Sequence, residues 1–295
     1  MISVVIPLYN KEQSVVATIQ SVLAQTYTDY EIVVVDDGCT DASVSVVQTQ
    51  MQNTDKIRLI RQKNAGVSAA RNTGIRNAQG EYVAFLDADD YWEPEVLNEY
   101  VRLINDFPDA TLYALGCGTM VNDVKYPCQC SVKPNYRGYL IDVWEHHPIF
   151  LSTASCCCCR TCTAIQIGGF DIRMTHGEDY DMWWRLIFVG KLAFYNQTFV
   201  YYVQDSENRA MHRMPLLEKY IPFYIDKYKE EREKNVSFRK FCDDELARRL
   251  YPYLFDSETK KIAQDLLRRI DWKLLKPSLY WRMRFPRLYA LYKRC

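Results

Sequence analysis

Short apolar runs and segments with helical spacing alternate along the first 110 residues. The apolar runs are rich in valine and isoleucine, which is typical of strands buried in a parallel sheet. Between them, apolar residues recur every three to four positions, as on one face of an amphipathic helix. This alternation predicts a parallel sheet with helices on its faces. The predicted strands are residues 2–6, 31–35, 57–60 and 82–86, and the predicted helices are residues 14–24, 42–51 and 67–78.

Polar residues follow three of the predicted strands directly. Residues 7–10 come after the first strand, Asp36 and Asp37 after the second, and residues 87–90 after the fourth. Open parallel sheets bind their ligands at the carboxyl ends of the strands. We therefore expect the three polar clusters to converge on one ligand-binding crevice.

The remainder of the chain is less regular. Residues 112–115, 154–159 and 199–203 have the composition of strands, and residues 179–188 have that of a helix. After about residue 213 the pattern becomes helical and charged. The predicted class is α/β with a C-terminal helical extension, and the predicted divisions are residues 1–110, 111–212 and 213–295.

Composition and charge narrow the class of protein. Of 295 residues, 48% are hydrophobic and 25% are charged, which is ordinary for a soluble globular protein. A formal net charge of zero argues against a surface built for nucleic acid. No run approaches the roughly 20 apolar residues of a spanning helix, and residues 1–8 lack the basic leader of a signal peptide. We therefore expect a cytoplasmic protein that does not bind nucleic acid.

Four of the eleven cysteines are consecutive, at residues 156–159. Alternate residues of a strand face opposite ways, so these four thiols cannot all reach one tetrahedral zinc ion. Cys128 and Cys130 are too close in sequence for a standard zinc knuckle. We expect free thiols, with residues 156–159 in a buried strand.

The carboxylates of residues 87–90 suit a hard divalent cation. Mg²⁺ and Mn²⁺ take oxygen ligands, often one or two carboxylates together with phosphate oxygens. Asp87 and Asp89 are two residues apart, and we expect both to project into the crevice. The alternative is that they only cap the next helix.

The turn at Asp36, Asp37 and Gly38 offers another pair of carboxylates at a strand end. A carboxylate there can bind the N–H of a uracil ring or the hydroxyls of a ribose. The alternative is a plain turn, with Asp41 capping the following helix.

In the second half of the chain, Glu178 and Asp179 follow Gly177 at the start of the predicted helix. Transfer of a group to a hydroxyl acceptor needs a base that takes the hydroxyl proton, and a carboxylate at a loop-to-helix junction suits this task. Neighbouring helical residues point in different directions, so we expect only one of the pair to face an acceptor. The alternative is a simple helix cap.

Five segments together resemble the family 2 glycosyltransferases with the GT-A fold, of the kind found in bacterial polysaccharide biosynthesis. They occur in family-like order and spacing over roughly residues 1–205. The segments are SVVIPLYN (residues 3–10), IVVVDDGCTD (32–41), NAGVSAARN (64–72), FLDADD (85–90), and GFD with the later EDYD (169–181).

The resemblance implies a metal-dependent inverting transfer from a nucleotide sugar, expected to be a UDP-sugar, with Mg²⁺ or Mn²⁺ as cofactor. Asp89 would bind the metal and Asp179 would be the catalytic base, with Glu178 binding the acceptor or supporting the loop. The residues implied to line the nucleotide, its phosphates or its sugar are Pro7, Tyr9, Asn10, Asp36, Asp37, Arg71 and Asp87. The resemblance leaves open whether Arg209 or His212 reaches the diphosphate.

Residues 268–295 carry nine basic side chains and one acidic side chain, interleaved with aromatic residues and leucines. This composition is typical of a segment that lies at the surface of an anionic membrane. We expect a peripheral contact with the inner face of the cytoplasmic membrane and a saccharide or lipid-linked oligosaccharide as acceptor. The alternatives are a helical cap on the catalytic core and a contact between copies.

Three further functions stay open for this pattern. A polyprenyl phosphate could be the acceptor, or the chain could be a catalytically inactive, nucleotide-binding member of the family. A sugar-phosphate nucleotidyltransferase on a similar fold would normally carry a glycine-rich N-terminal loop, where this chain has PLYNK at residues 7–11.

Overall fold

A computed structural model describes residues 1–127, 130–146, 153–207 and 214–285. The chain divides into two compact units, Met1–Met214 and Pro215–Cys295. Each unit is described by itself.

The first unit contains a mixed sheet and helices that pack against it. Its strands are β1 (Ile2–Leu8), β2 (Tyr30–Asp36), β3 (Ile57–Arg61), β4 (Tyr82–Phe85), β5 (Tyr91–Trp92), β6 (Ala110–Val121), β7 (Val124–Tyr126), β8 (Arg137–Tyr139), β9 (Cys157–Arg160) and β10 (Lys191–Val203). Its helices are α1 (Val15–Leu23), α2 (Ser43–Met51), α3 (Val67–Asn77), α4 (Val96–Asp106), α5 (Thr161–Gln166) and α6 (Glu178–Phe188).

The strand order is β3-β2-β1-β4-β9-β6-β10-β5, with β7 paired to β6 and β8 paired to β10. Strands β1, β2, β3 and β4 are parallel, and β6 is parallel to β10. The predicted α/β class with a mostly parallel sheet is therefore confirmed. The sheet becomes mixed at β9, which is antiparallel to both β4 and β6.

The apolar strands form the core of the sheet. Every residue of β1, β2 and β4 is buried, as their largely apolar sequences predict. Gly74 lets α3 pack closely on β1, because a Cβ at this position would lie 2.3 Å from Cγ1 of Val5. This close packing sets α3 directly against the middle of β1.

Three strands predicted in the less regular part of the chain differ from the structure in extent. The predicted strand over residues 154–159 is a short 3₁₀ turn at Ala154–Cys156 followed by β9. The strands predicted at residues 112–115 and 199–203 are parts of the longer β6 and β10. Length is hard to predict there because polar and aromatic residues interrupt the apolar pattern.

The consecutive cysteines lie in the core, with all four side chains at 0% exposure. Every cysteine within the described residues is a free thiol. The prediction of buried free thiols is confirmed, except that Cys156 belongs to the 3₁₀ turn and not to the strand. Cys128 lies outside the described residues.

The second unit is helical, as predicted for a C-terminal extension. A buried ion pair between Arg232 and Asp243 holds its interior together, with a guanidinium nitrogen 2.5 Å from a carboxylate oxygen. No helix within the described ranges is long and apolar enough to span a bilayer. The helices are α7 (Lys229–Lys234), α8 (Val236–Leu250), α9 (Lys260–Leu267) and α10 (Pro277–Arg284).

Candidate active site

The loop after β1 is fixed to the loop after β2. Asn10 has a left-handed backbone with φ of 51°. Its side-chain oxygen accepts a hydrogen bond from the backbone N–H of Thr40 at 2.8 Å, and its amide donates to the Thr40 hydroxyl at 3.2 Å. Pro7 is buried within β1, whereas the Tyr9 ring is 48% exposed. Of the three predicted nucleotide-loop residues, Tyr9 therefore offers an open ring face.

The carboxylate of Asp37 organises the loop that precedes α3. It is 3% exposed. It accepts hydrogen bonds from the side-chain amide of Gln62 at 2.7 Å and from the backbone N–H groups of Ala65 and Gly66 at 2.9 and 2.8 Å. Asp36 accepts a bond from the backbone N–H of Cys39 at 2.8 Å. Both residues thus shape the predicted nucleotide site, and their contact with a base stays a prediction.

Three aspartates after β4 have three different environments. Asp87 pairs with Arg71, whose Nη2 lies 2.6 Å away. Asp89 pairs with the ammonium group of Lys11, also at 2.6 Å. Asp90 is buried, and burial together with the charges of Asp87 and Asp89 raises its pKa well above the usual value. Asp90 is therefore a hydrogen-bonding support, and it accepts a bond from the Ser155 hydroxyl at 2.5 Å.

Arg71 joins the two halves of the site. Its Nη2 donates to Asp87 and its Nη1 donates to Glu178 at 3.0 Å, while its side chain is only 4% exposed. Burial lowers the pKa of Arg71, but the charges of Asp87 and Glu178 outweigh burial and hold the pKa above its usual value. Arg71 is therefore a buried permanent cation between two carboxylates. Its predicted contact with the nucleotide stays a prediction.

The two acidic residues at the start of α6 differ in exposure. Glu178 is buried against Arg71, and burial raises its pKa despite the neighbouring guanidinium. Asp179 is half-buried and lies in the first helical turn, where the helix dipole stabilises a carboxylate. Gly177 precedes the helix with a left-handed φ of 77°. Glu178 is thus the buried member of the pair and Asp179 the more exposed one, while the prediction that one of them faces an acceptor stays a prediction.

A hydrogen-bonded pair that the sequence analysis missed connects α3 to the loop before α6. The Asn72 side chain accepts from the backbone N–H of Phe170 at 2.7 Å and donates to the carbonyl of Phe170 at 2.8 Å. A Cβ at Gly169 would lie 2.3 Å from the side-chain oxygen of Asn72. Asn72 and Phe170 lie in two of the five segments that resemble the family. Nothing in the sequence pattern indicates that these two residues contact each other.

Asp89 offers a single carboxylate to the predicted divalent cation, whose binding stays a prediction. Within the described part of the chain, no group of three or more acidic, histidine or cysteine side chains is arranged to hold a metal ion. Among the described residues, the contacts of Asp89 with Lys11 and Ser206 both involve Oδ2 and not Oδ1, the oxygen to which we assign the predicted cation. The Lys11 ammonium shows that positive charge is accommodated beside Asp89. A bound Mg²⁺ or Mn²⁺ would take its other ligands from phosphate oxygens and water.

The chain has an α/β fold with a cluster of carboxylates at the carboxyl ends of its parallel strands, where open sheets bind their ligands. Residues 3–161 match the family described as Glycosyl transferase family 2. The chain belongs to this family and is a glycosyltransferase.

Curated relatives agree with this assignment. The chain is 28% identical over 240 residues to the uncharacterized glycosyltransferase RP339 of Rickettsia prowazekii, covering 78% of this chain and 73% of that protein. It is 29% identical over 226 residues to the chondroitin synthase of Escherichia coli, covering 73% of this chain and 31% of that protein. The chain thus spans less than a third of the length of the chondroitin synthase.

Solved structures show the same GT-A fold. S. aureus TarS (residues 1–349) in complex with UDP-GlcNAc has a TM-score of 0.63 at 18% identity, covering 97% of this chain and 73% of that chain. The complex of the same protein with UDP has a TM-score of 0.62 at 16% identity, covering 95% and 86%. At these identities the likeness shows the fold alone.

Proposed function

We propose that this glycosyltransferase moves one sugar from a UDP-sugar to a hydroxyl acceptor, with inversion at the anomeric carbon. The observation that carries the proposal is the Arg71 bridge, which joins Asp87 at the end of β4 to Glu178 at the start of α6. The bridge sets the strand-end carboxylates beside the accessible Asp179, so that donor and acceptor groups meet in one crevice.

The donor occupies the carboxyl ends of β1, β2 and β4. The exposed Tyr9 ring stacks on the base, and Asp37 accepts a hydrogen bond from it in addition to those that hold its loop. The remaining lining is contributed by Pro7, Asn10, Asp36, Arg71 and Asp87. The UDP and UDP-GlcNAc complexes of TarS support this choice of donor.

Asp89 would hold a divalent cation, Mg²⁺ or Mn²⁺, and a bound cation would supply charge stabilisation to the leaving diphosphate. Without substrate, the Lys11 ammonium lies 2.6 Å from Oδ2 of the same carboxylate.

Asp179 takes the proton of the acceptor hydroxyl. The hydroxyl oxygen forms its bond to the anomeric carbon as the bond from that carbon to the diphosphate oxygen breaks, and the diphosphate leaves with the electron pair. The acceptor attacks from the face opposite the leaving group, so the configuration inverts without a covalent intermediate. Glu178 keeps its hydrogen bond with Arg71 and so positions the first turn of α6.

The acceptor is a saccharide or lipid-linked oligosaccharide of cell-surface polysaccharide synthesis, reached from the cytoplasmic side of a membrane. The chondroitin synthase relative supports a saccharide acceptor. The exposed face of α10 and the segment before it combine basic with aromatic side chains, namely Lys273, Lys276, Trp281, Arg284 and Phe285. Residues 286–295 of the predicted membrane segment, and Arg209 and His212, lie outside the described residues.

We assign residues 1–110 to the donor half of the catalytic domain, residues 111–212 to its acceptor half, and residues 213–295 to the helical extension. Limited proteolysis followed by mass spectrometry tests the last boundary. A stable fragment ending near residue 212 supports it, and cleavage concentrated elsewhere contradicts it.

A thermal-unfolding screen with Mn²⁺ tests the donor. UDP and at least one UDP-sugar are expected to raise the melting temperature, because a ligand that binds only the folded state stabilises it. GDP at the same concentration serves as the control and is expected to give a smaller shift. A shift in melting temperature with GDP-sugars but with no UDP compound contradicts the proposed donor. The absence of a shift with every nucleotide tested contradicts it as well.

A further inference from the structure

Lys11 forms an ion pair with Asp89 that is largely shielded from water. The ammonium nitrogen lies 2.6 Å from Oδ2 of Asp89, and the two side chains are 12% and 14% exposed. The same nitrogen donates to the backbone carbonyl of Glu207. The residues lie 78 positions apart in the sequence, so the fold has brought a lysine onto the carboxylate that suits a metal.

Ser206 and Glu207, which follow β10, contact this ion pair and the residues beside it. Oε1 of Glu207 accepts hydrogen bonds from the backbone N–H groups of Gln13 and Ser14 at 3.1 and 3.2 Å, just before α1. The Ser206 hydroxyl donates to Oδ2 of Asp89 at 2.8 Å. Oδ2 of Asp89 therefore accepts hydrogen bonds from two donors, Lys11 and Ser206. The Lys11 ammonium is held by Asp89 and by the carbonyl of Glu207.

We propose that Lys11 is a built-in competitor for the metal, which makes binding of the divalent cation depend on the nucleotide diphosphate. The inference rests on the proposed function and adds a coupling role for a residue outside the predicted site. Without nucleotide, Lys11 neutralises Asp89. With nucleotide, Lys11 transfers to a diphosphate oxygen as the cation takes Asp89.

The physical reason is charge balance in a shielded site. A divalent cation that binds alone must approach the Lys11 ammonium or displace it, and a displaced ammonium with only a carbonyl as partner is unfavourable where water is scarce. A diphosphate brings negative charge that can receive both the cation and Lys11. Metal and nucleotide therefore help each other by the same factor, as linkage requires.

Lys11→Met tests this role because it removes the charge but keeps most of the aliphatic side chain. Lys191→Met is the matched control, since Lys191 pairs with Asp109 at 3.7 Å in an exposed position, with side chains 56% and 75% exposed. Binding of Mn²⁺ is measured by electron paramagnetic resonance of the free ion, with and without UDP. Binding of UDP is measured by calorimetry, with and without Mn²⁺.

Lys11→Met is expected to bind Mn²⁺ about fivefold or more tightly than the wild type when UDP is absent, and to bind UDP more weakly when Mn²⁺ is absent. A lysine that only holds the Glu207 segment in place would instead lower both affinities when replaced. Lys191→Met is expected to match the wild type in all four measurements.

Unchanged or weaker binding of Mn²⁺ to nucleotide-free Lys11→Met overturns the competitor role, while the proposed function stands if the wild type still binds Mn²⁺ with UDP. If neither protein binds Mn²⁺ in the presence of UDP, the metal dependence in the proposed function fails together with the inference.

Discussion

The guanidinium of Arg71 lies 3.0 Å from the carboxylate of Glu178, across a buried contact that joins two segments 107 residues apart. Its other terminal nitrogen holds Asp87. The donor-side loop after β4 and the first turn of α6 are therefore fixed to one side chain. Three predictions on stability and binding follow from such long-range contacts and from the exposed face of α10.

Arg71→Met is expected to destabilise the protein by about 3–5 kcal/mol, because it leaves the carboxylates of Asp87 and Glu178 without their buried cation. Arg102→Met removes an arginine from a pair with Glu99 in which the arginine side chain is 64% exposed, and should cost less than about 1 kcal/mol. Urea unfolding of both variants gives the comparison. Equal losses of stability in the two variants would contradict the bridging role of Arg71.

Gly169→Ala is expected to destabilise the protein more than Gly168→Ala. Both glycines have positive φ, at 67° and 87°, so alanine costs roughly 1–2 kcal/mol of backbone strain at either position. At Gly169 the added Cβ would also lie 2.3 Å from Asn72, whereas at Gly168 nothing lies within 4 Å. Overpacking of this kind costs a further ~1–3 kcal/mol.

Thermal unfolding of the two alanine variants isolates the contact with Asn72, since the strain is common to both. Gly169→Ala should also lower the rate of sugar transfer, because the loop that carries Phe170 leads to α6. Equal melting temperatures would show that Asn72 can move aside at no cost.

The double variant Trp281→Ala, Phe285→Ala is expected to lose at least about tenfold in binding to anionic vesicles, since burial of even one of the two rings in the interface contributes about 1.4 kcal/mol or more. Phe223→Ala is the matched control in the same unit, because Phe223 and Phe285 are both 41% exposed. Sedimentation with vesicles of phosphatidylglycerol gives the measurement, and neutral vesicles show the charge dependence. Binding that survives in the double variant would remove α10 as the membrane contact.

Much of the first half of the fold could be predicted from the sequence because its signals are local. A buried parallel strand is an apolar run, and β1, β2 and β4 each have one. The polar residues at the strand ends were predicted to converge for the same reason, since a parallel sheet places those ends on one edge.

The rest depended on pairings that no local pattern carries. An apolar strand gives no sign of its partner, so the antiparallel insertion of β9 between β4 and β6 could not be predicted. The partners of Asp87 and Asp89 were missed for a similar reason. Arg71 and Lys11 are distant from these aspartates in the sequence and meet them only in the folded chain. The sequence does not distinguish them from the many other charged side chains that could pair with either aspartate.

Transfer and binding by Asp179→Asn and Asp89→Ala test the central claim most directly. The account predicts that each variant loses release of UDP in the presence of donor and acceptor. Asp179→Asn should retain the metal-dependent affinity for UDP, because Asp179 acts on the acceptor, whereas Asp89→Ala should lose it. Full transfer activity in Asp179→Asn, or unchanged metal-dependent binding of UDP in Asp89→Ala, would contradict the account.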